Sequence, residues 1–194
     1  MGVGRGSSAR LGLSGIPYAP FFCDENVWQF LRMPSPNERW AVFLGNPGRA
    51  VALWCQRTAP VPGEIVVWDY HVVALERTSE GFLLHDPDCF AGCPMPALEW
   101  TETSFPSDRI LVSSEPPLFR VVPAQEFLAG YRSDRRHMAA NPAPPPPWPP
   151  LTPGECNLPA YLFGPESGPQ PGLVLDEASW RAFLEHGHVR APIG

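Results

Sequence analysis

Trp68-Asp69-Tyr70-His71-Val72-Val73 is the stretch on which the reading of this chain turns. It lies in a longer run, Ile65 to Leu75, whose β-branched and aromatic residues sit between turn signals, so the run reads as one buried strand. A buried strand has no structural use for Asp or His, and burying either without a partner is costly. His71 is therefore either a satisfied core histidine or a working one. Cys23 upstream and Asp86 on the following strand favour the working one. Cys, His and Asp drawn from separate segments make a nucleophile, its base and the group that orients the base.

Downstream of this run, Arg77-Thr78-Ser79-Glu80-Gly81 reads as a hairpin connection and Phe82 to Asp86 as the returning strand. If Arg77 pairs with Phe82, Val73 faces Asp86 and His71 faces Asp88. Side chains alternate with period two, so residues 71, 73, 86 and 88 share one face. Either carboxylate can then reach the imidazole, as a cross-strand or diagonal neighbour. Asp69 falls on the same face but along the same strand.

Upstream, Cys23-Asp24-Glu25-Asn26-Val27-Trp28-Gln29-Phe30-Leu31 reads as a helix, with Val27, Phe30 and Leu31 on one face. Asp24 and Glu25 fall in the first turn, where the positive end of the helix dipole favours carboxylates, and Pro34 and Pro36 end the helix. Cys23 is thus placed at a helix N-terminus, where the dipole and unpaired N–H groups stabilise a thiolate and can hold an oxyanion. Asp24 and Glu25 work against the thiolate, so an imidazolium partner is needed.

Further strands are expected over Trp40 to Leu44, Ala50 to Gln56 and Leu118 to Val122, and a short helix over Pro123 to Tyr131. Residues 88 to 117, rich in Pro and Ser, read as a long connection with short elements. Cys89, Cys93 and His85 are metal-ligand types, but a fourth ligand at metal-site spacing is missing and Pro94 and Pro96 follow at once, so no metal is expected. Ser133 to Met138 reads as a polar loop. The polyproline segment Pro144 to Pro150 reads as a rigid strap with Trp148 in a groove of its own domain. A last helix runs from Asp176, its N-cap, to His186, with Trp180, Phe183 and Leu184 as its apolar stripe and Gly187 as its stop.

A chain of 194 residues with 44% hydrophobic and 18% charged residues supports a sizeable core. Residues 1–16, rich in Gly, Ser and Arg, read as a flexible tail, and 17–194 as a single catalytic domain. The net charge of -6 and the lack of a basic run argue against nucleic acid or an anionic membrane as partner. Without a signal peptide or an apolar span, and with five irregularly spaced cysteines, the expected setting is the reducing cytoplasm and the expected state a monomer.

Several stretches together resemble the protein N-terminal glutamine amidohydrolase family: Cys23-Asp24-Glu25-Asn26-Val27-Trp28, Val67-Trp68-Asp69-Tyr70-His71-Val72-Val73, Asp86-Pro87-Asp88, Ser133-Asp134-Arg135-Arg136-His137-Met138 and the proline run. They follow the family's order across roughly residues 21 to 150. The resemblance implies an α/β (α+β) fold of the papain and transglutaminase kind, with a mostly antiparallel sheet and the nucleophile at a helix start. It also implies a Cys23-His71-Asp86 triad, which selects Asp86 over Asp88; Pro87 departs from the family's pattern. The implied activity is deamidation of an N-terminal glutamine of a protein or peptide to glutamate, without metal or cofactor. Glu25, Asp69 and Asp134, with Asp24, are candidates for recognising the free α-amino group. The same three groups would also serve a transglutaminase-like acyl transferase or a peptidase, and an unreactive Cys23 would leave a module that binds protein N-termini.

Overall fold

Ala41, Val42, Phe43 and Leu44 are all fully buried, which a strand achieves only when both faces of its sheet are covered. The computed structural model describes residues 17–61, 63–107, 115–139, 143–164 and 170–187. Its elements, in chain order, are α1 (Cys23–Leu31), β1 (Glu38–Gly45), β2 (Val51–Leu53), β3 (Val66–Trp68), β4 (His71–Thr78), β5 (Gly81–His85), β6 (Met95–Pro96), α2 (Ala97–Ser104), β7 (Leu118–Pro123), α3 (Ala124–Gly130), β8 (Leu173–Leu175) and α4 (Glu177–His186). Six strands form one antiparallel sheet in the order β6-β5-β4-β1-β7-β8, and β2 and β3 pair separately. The fold is therefore α+β.

The period-two alternation sorts the strand residues onto two cores. Val42, Leu44, Val73, Leu75, Phe119 and Val121 meet Trp100 of α2 and Trp180 and Phe183 of α4. Ala41, Phe43, Val72, Ala74 and Val122 meet Val27 and Phe30 of α1 and Phe127 of α3. Each of the larger aliphatic and Phe side chains contributes about 1.5–3 kcal/mol on burial, so both helical layers are firmly held. The ends of α4 fall where its sequence puts them: the Asp176 carboxylate accepts from the Ser179 N–H at 2.8 Å, and Gly187 takes the left-handed conformation, φ 73°.

The hairpin register is as expected. Arg77 pairs with Phe82, and the ladder ends with Ala74 opposite His85. His71 opens β4 opposite Leu44 of β1, on the strand face shared by Val73 and Leu75. Asp86 lies just past the end of β5, on the face of Leu84.

Three local expectations change. Ile65 to Leu75 is not one strand: Val66–Trp68 pairs with Val51–Leu53, whereas His71–Thr78 belongs to the central sheet. Asp69 makes the break, because its carboxylate accepts from the Tyr70 N–H at 3.0 Å and takes that donor from the ladder. The strand expected over Ala50 to Gln56 stops at Leu53, ahead of a left-handed Cys55, φ 62°. The connection after Asp88 holds a true helix, α2, whose Ala97, Trp100, Thr101 and Ser104 are buried at helical spacing. The tail before residue 17 lies outside the described residues.

Candidate active site

The segment before α1 sets the position of Cys23. Asn26 ties it down twice, accepting from the Ala19 N–H at 2.8 Å and donating to the Ala19 carbonyl at 2.9 Å. Between them the chain passes through Phe21 in the left-handed region, φ 69°, a strained conformation for a bulky residue. The N-cap residue, Phe22, has no side-chain oxygen and gives the helix no side-chain cap. Cys23, buried, thus opens a helix whose first-turn N–H groups donate no hydrogen bond to the N-cap side chain. Burial pushes its thiol pKa up, against the hydrogen-bonding and charge of His71, which pull it down; Asp24 and Asp88 add to the rise.

His71 is fully buried and meets Asp86 through Nε2 at 3.0 Å from Oδ1. Its other nitrogen, Nδ1, makes no hydrogen bond of full geometry among the described residues, and it is the atom left to face the thiol. Burial alone would lower the imidazole pKa. The Asp86 charge and hydrogen bond, with Cys23, overcome this and hold it well above the usual histidine range.

Asp86 is well supplied with donors. Oδ1 accepts from His71 Nε2 and from the Asp88 N–H, and Oδ2 accepts from Gln56 Nε2 at 3.3 Å and Trp100 Nε1 at 3.1 Å. Burial raises its pKa, but the His71 charge and these donors bring it below the usual carboxylate range. Asp88, the other carboxylate within reach in the sequence, is arranged differently. It is buried and accepts from the Tyr18 hydroxyl at 2.6 Å, while its Oδ2 has no partner among the described residues. Burial lifts it to about 6, with His71 opposing and Asp86 reinforcing the rise. His71, Asp86 and Asp88 are the one group of metal-ligand types brought together among the described residues. The Asp86 oxygens are already taken by four donors, which is the environment of a hydrogen-bonded carboxylate. His85 turns instead to Glu76, 3.0 Å away.

A cleft of about 300 Å³ has Cys23 in its wall, with Phe21, Thr58, Trp68, Asp69, Tyr70, His137 and Met138. Of the carboxylates expected at the substrate, Asp69 is here, exposed and 3.8 Å from Arg49. Asp24 is buried and accepts from the Tyr131 hydroxyl at 2.6 Å. Glu25 is buried and taken by Arg135, through Nε at 2.6 Å and Nη2 at 2.7 Å, and by Trp148 Nε1 at 2.6 Å. Asp134 holds Arg136 and caps the Arg136 N–H. The structure thus brings Cys23, His71, Asp86 and Asp69 to one place and gives Glu25 and Asp134 to the loop beside it. That loop delivers His137, whose Nε2 lies 3.1 Å from the Tyr70 hydroxyl.

The sequence model of the family described as N-terminal glutamine amidase matches residues 18–184. The chain belongs to this family. A protein N-terminal glutamine amidohydrolase of Drosophila ananassae is 34% identical, the match covering 92% of this chain and 94% of the relative. Those of Drosophila mojavensis and Drosophila melanogaster are 34% and 33% identical with the same coverage. The matched span contains both cores as well as the cleft.

Sequence reasoning missed several residues that hold this site. Gln56 and Trp100 support Asp86, Tyr18 supports Asp88, and Arg135 locks the proline strap to α1. The spacing of Ala97, Trp100, Thr101 and Ser104 carried a helical signal under the surrounding prolines. Gln56 and Tyr18 carried none, since a single polar residue in an apolar stretch has no period.

Proposed function

We propose that this protein deamidates the side chain of an N-terminal glutamine of proteins or peptides, giving glutamate and ammonia. The observation that carries the reading is the placement of Cys23, at a helix start without a side-chain cap and beside a histidine held by a fully hydrogen-bonded aspartate, in a chain of this family. His71 takes the Cys23 proton, and the thiolate forms a C–S bond to the carboxamide carbon while the carbonyl π electrons move to oxygen. The tetrahedral intermediate collapses as His71 returns its proton to the leaving nitrogen, releasing ammonia and a thioester. Water, deprotonated by His71, then opens the thioester and restores the thiol. Asp86 keeps His71 Nε2 engaged, so that Nδ1 carries the proton traffic, and it stabilises the imidazolium. The Cys23 N–H at the helix start is one donor to the oxyanion. The chemistry needs no cofactor.

Asp69 is the carboxylate in the cleft wall, and it is assigned to the substrate α-ammonium. The cleft volume suits one residue at a chain end. The test is ammonia release and product mass from a short peptide beginning with Gln, beside its N-acetylated form, a peptide with Gln at position two, and Cys23→Ala protein. Turnover of the free N-terminal Gln alone, abolished in Cys23→Ala, is the expected result. Turnover of all three peptides would overturn the N-terminal specificity, and retained activity in Cys23→Ala would overturn the nucleophile.

A further inference from the structure

Buried polar groups without partners are rare, and those that exist ask for an explanation. Three of them belong to residues of the cleft wall: Thr58 Oγ1, Trp68 Nε1 and His137 Nδ1 have no hydrogen-bond partner among the described residues. Thr58 can donate or accept, and His137 Nδ1 does either according to its tautomer. The indole N–H of Trp68 only donates. Its ring stacks on His71, with centroids 5.3 Å apart and planes within 20°, and it shares the cleft wall with Cys23. It is held from behind by the pairing of β3 with β2, where Trp68 lies opposite Val51, and in front by Phe21 at 6.1 Å between centroids. A donor with nothing to donate to, next to the nucleophile and its base, is poised for an acceptor that arrives with the substrate.

We infer that the indole N–H of Trp68 is a hydrogen-bond donor to the carboxamide oxygen of the substrate, acting with the backbone N–H of Cys23 to hold the oxyanion. This rests on the amidohydrolase reading above. The reacting carboxamide offers one oxygen on which negative charge develops as the C–S bond forms, and a donor-only group is the one type in the wall that matches it in both ground state and transition state. The N–H is shut off from solvent in the free protein, so no water has to be stripped from it. It meets the oxygen through a small shift of the indole on binding, as hydrogen bonds at such sites tighten in the complex. The contact strengthens as the carbonyl becomes an alkoxide, so it acts on kcat more than on KM.

Two replacements test it. Trp68→Phe keeps an aromatic ring against His71 and removes the N–H, while replacement of Trp68 by 3-benzothienylalanine removes the N–H and keeps the shape. In both, kcat on a peptide with N-terminal Gln is expected to fall about 10²–10³-fold, the loss typical of one oxyanion donor, with KM nearly unchanged. Alkylation of Cys23 by iodoacetamide should keep its rate and pH profile, because that reaction forms no oxyanion. A peptide whose N-terminal Gln carries an aldehyde in place of the carboxamide adds the Cys23 S–H across its C=O, and its affinity should fall with kcat/KM. Unchanged kcat in the benzothienyl protein would overturn the proposal. So would a fall matched by slower alkylation, which would mean that Trp68 acts through its stack on His71. Failure of the underlying reading looks different: the unsubstituted protein would then leave the Gln peptide untouched, which sinks both.

Discussion

Asp86 and Glu25 are both fully buried carboxylates with several donors apiece, and they face different cations. Asp86 faces an imidazole and Glu25 a guanidinium. Burial is the largest single cause at both and raises each pKa, but the opposing causes differ. At Asp86 the His71 charge and four donors win and the carboxyl is lowered; at Glu25 burial, helped by Asp24, outweighs Arg135 and Trp148 and the carboxyl is raised. The partners explain the two uses. Arg135 cannot release a proton at any ordinary pH, so its pair with Glu25 serves as a fastening between α1, the 133–138 loop and the proline strap. An imidazole can exchange its proton, so in the proposed reaction the same kind of carboxylate placed against it serves chemistry.

The largest expected difference is in turnover. Asp86→Asn should lower kcat by about 10⁴-fold, as loss of the orienting carboxylate does in other nucleophile–histidine–aspartate sites. Glu25→Gln should stay within about tenfold of the parent in ammonia release. A folded Glu25→Gln protein as inactive as Asp86→Asn would break the contrast and return Glu25 to the reacting centre.

Stability should reverse the ranking. Glu25→Ala leaves the largely buried Arg135 charged and unpaired, which costs about 3–5 kcal/mol. Asp86→Asn removes a charge but keeps an acceptor, and leaves one donor facing another, for about 1–3 kcal/mol. Urea unfolding followed by tryptophan fluorescence measures both. A larger loss in Asp86→Asn would mean that the His71 pair, and not the Arg135 knot, is the stronger tie between segments.

Much of this was legible in the sequence, for reasons that differ by element. The register of the β4–β5 hairpin and the ends of α4 were legible because turn chemistry and period act locally, although the strand bounds were not. The register put both Asp86 and Asp88 within reach of His71, and choosing Asp86 took the family resemblance; in the structure the two differ in their donors, four against one side-chain hydroxyl. The break at Asp69 was hidden, because its carboxylate competes with the ladder inside a run of strand formers. The roles of Glu25 and Asp134 were also hidden: a carboxylate that binds an ammonium and one that binds Arg135 or Arg136 look alike until the chain is folded.

The pH dependence sharpens the comparison. Glu25, raised in the folded protein, contributes stability that is full below its unfolded pKa near 4.5 and fades as pH rises through the folded value. The unfolding free energy of the parent minus that of Glu25→Gln should therefore shrink with rising pH above that point. Asp86, lowered, contributes stability that is full above 3.8 and is lost in acid. His71, raised, contributes stability that is present below 6.5 and lost as pH rises through its folded value. The parent minus Asp86→Asn difference should thus pass through a maximum between the Asp86 and His71 titrations. Denaturant midpoints taken across the pH range distinguish a falling curve from a bell, and two curves of one shape would refute the assignment of distinct partners.

The smallest effect concerns Trp148. Its indole N–H is one of three donors to Glu25, while its own carbonyl accepts from Arg135 Nη2 at 2.8 Å. Trp148→Phe deletes the indole N–H and keeps both the bidentate Arg135 contact and the carbonyl acceptor. The cost should be that of one hydrogen bond, about 1.5 kcal/mol, where the range for neutral bonds meets that for bonds to a charged acceptor. The strap should stay in place, so His137 should keep its contact with Tyr70 and kcat/KM should change less than about threefold. A stability loss equal to that of Glu25→Ala would show that the indole packing, and not the Arg135–Glu25 pair, fastens the strap. A kcat/KM loss without a stability loss would show that the strap sets the cleft wall directly.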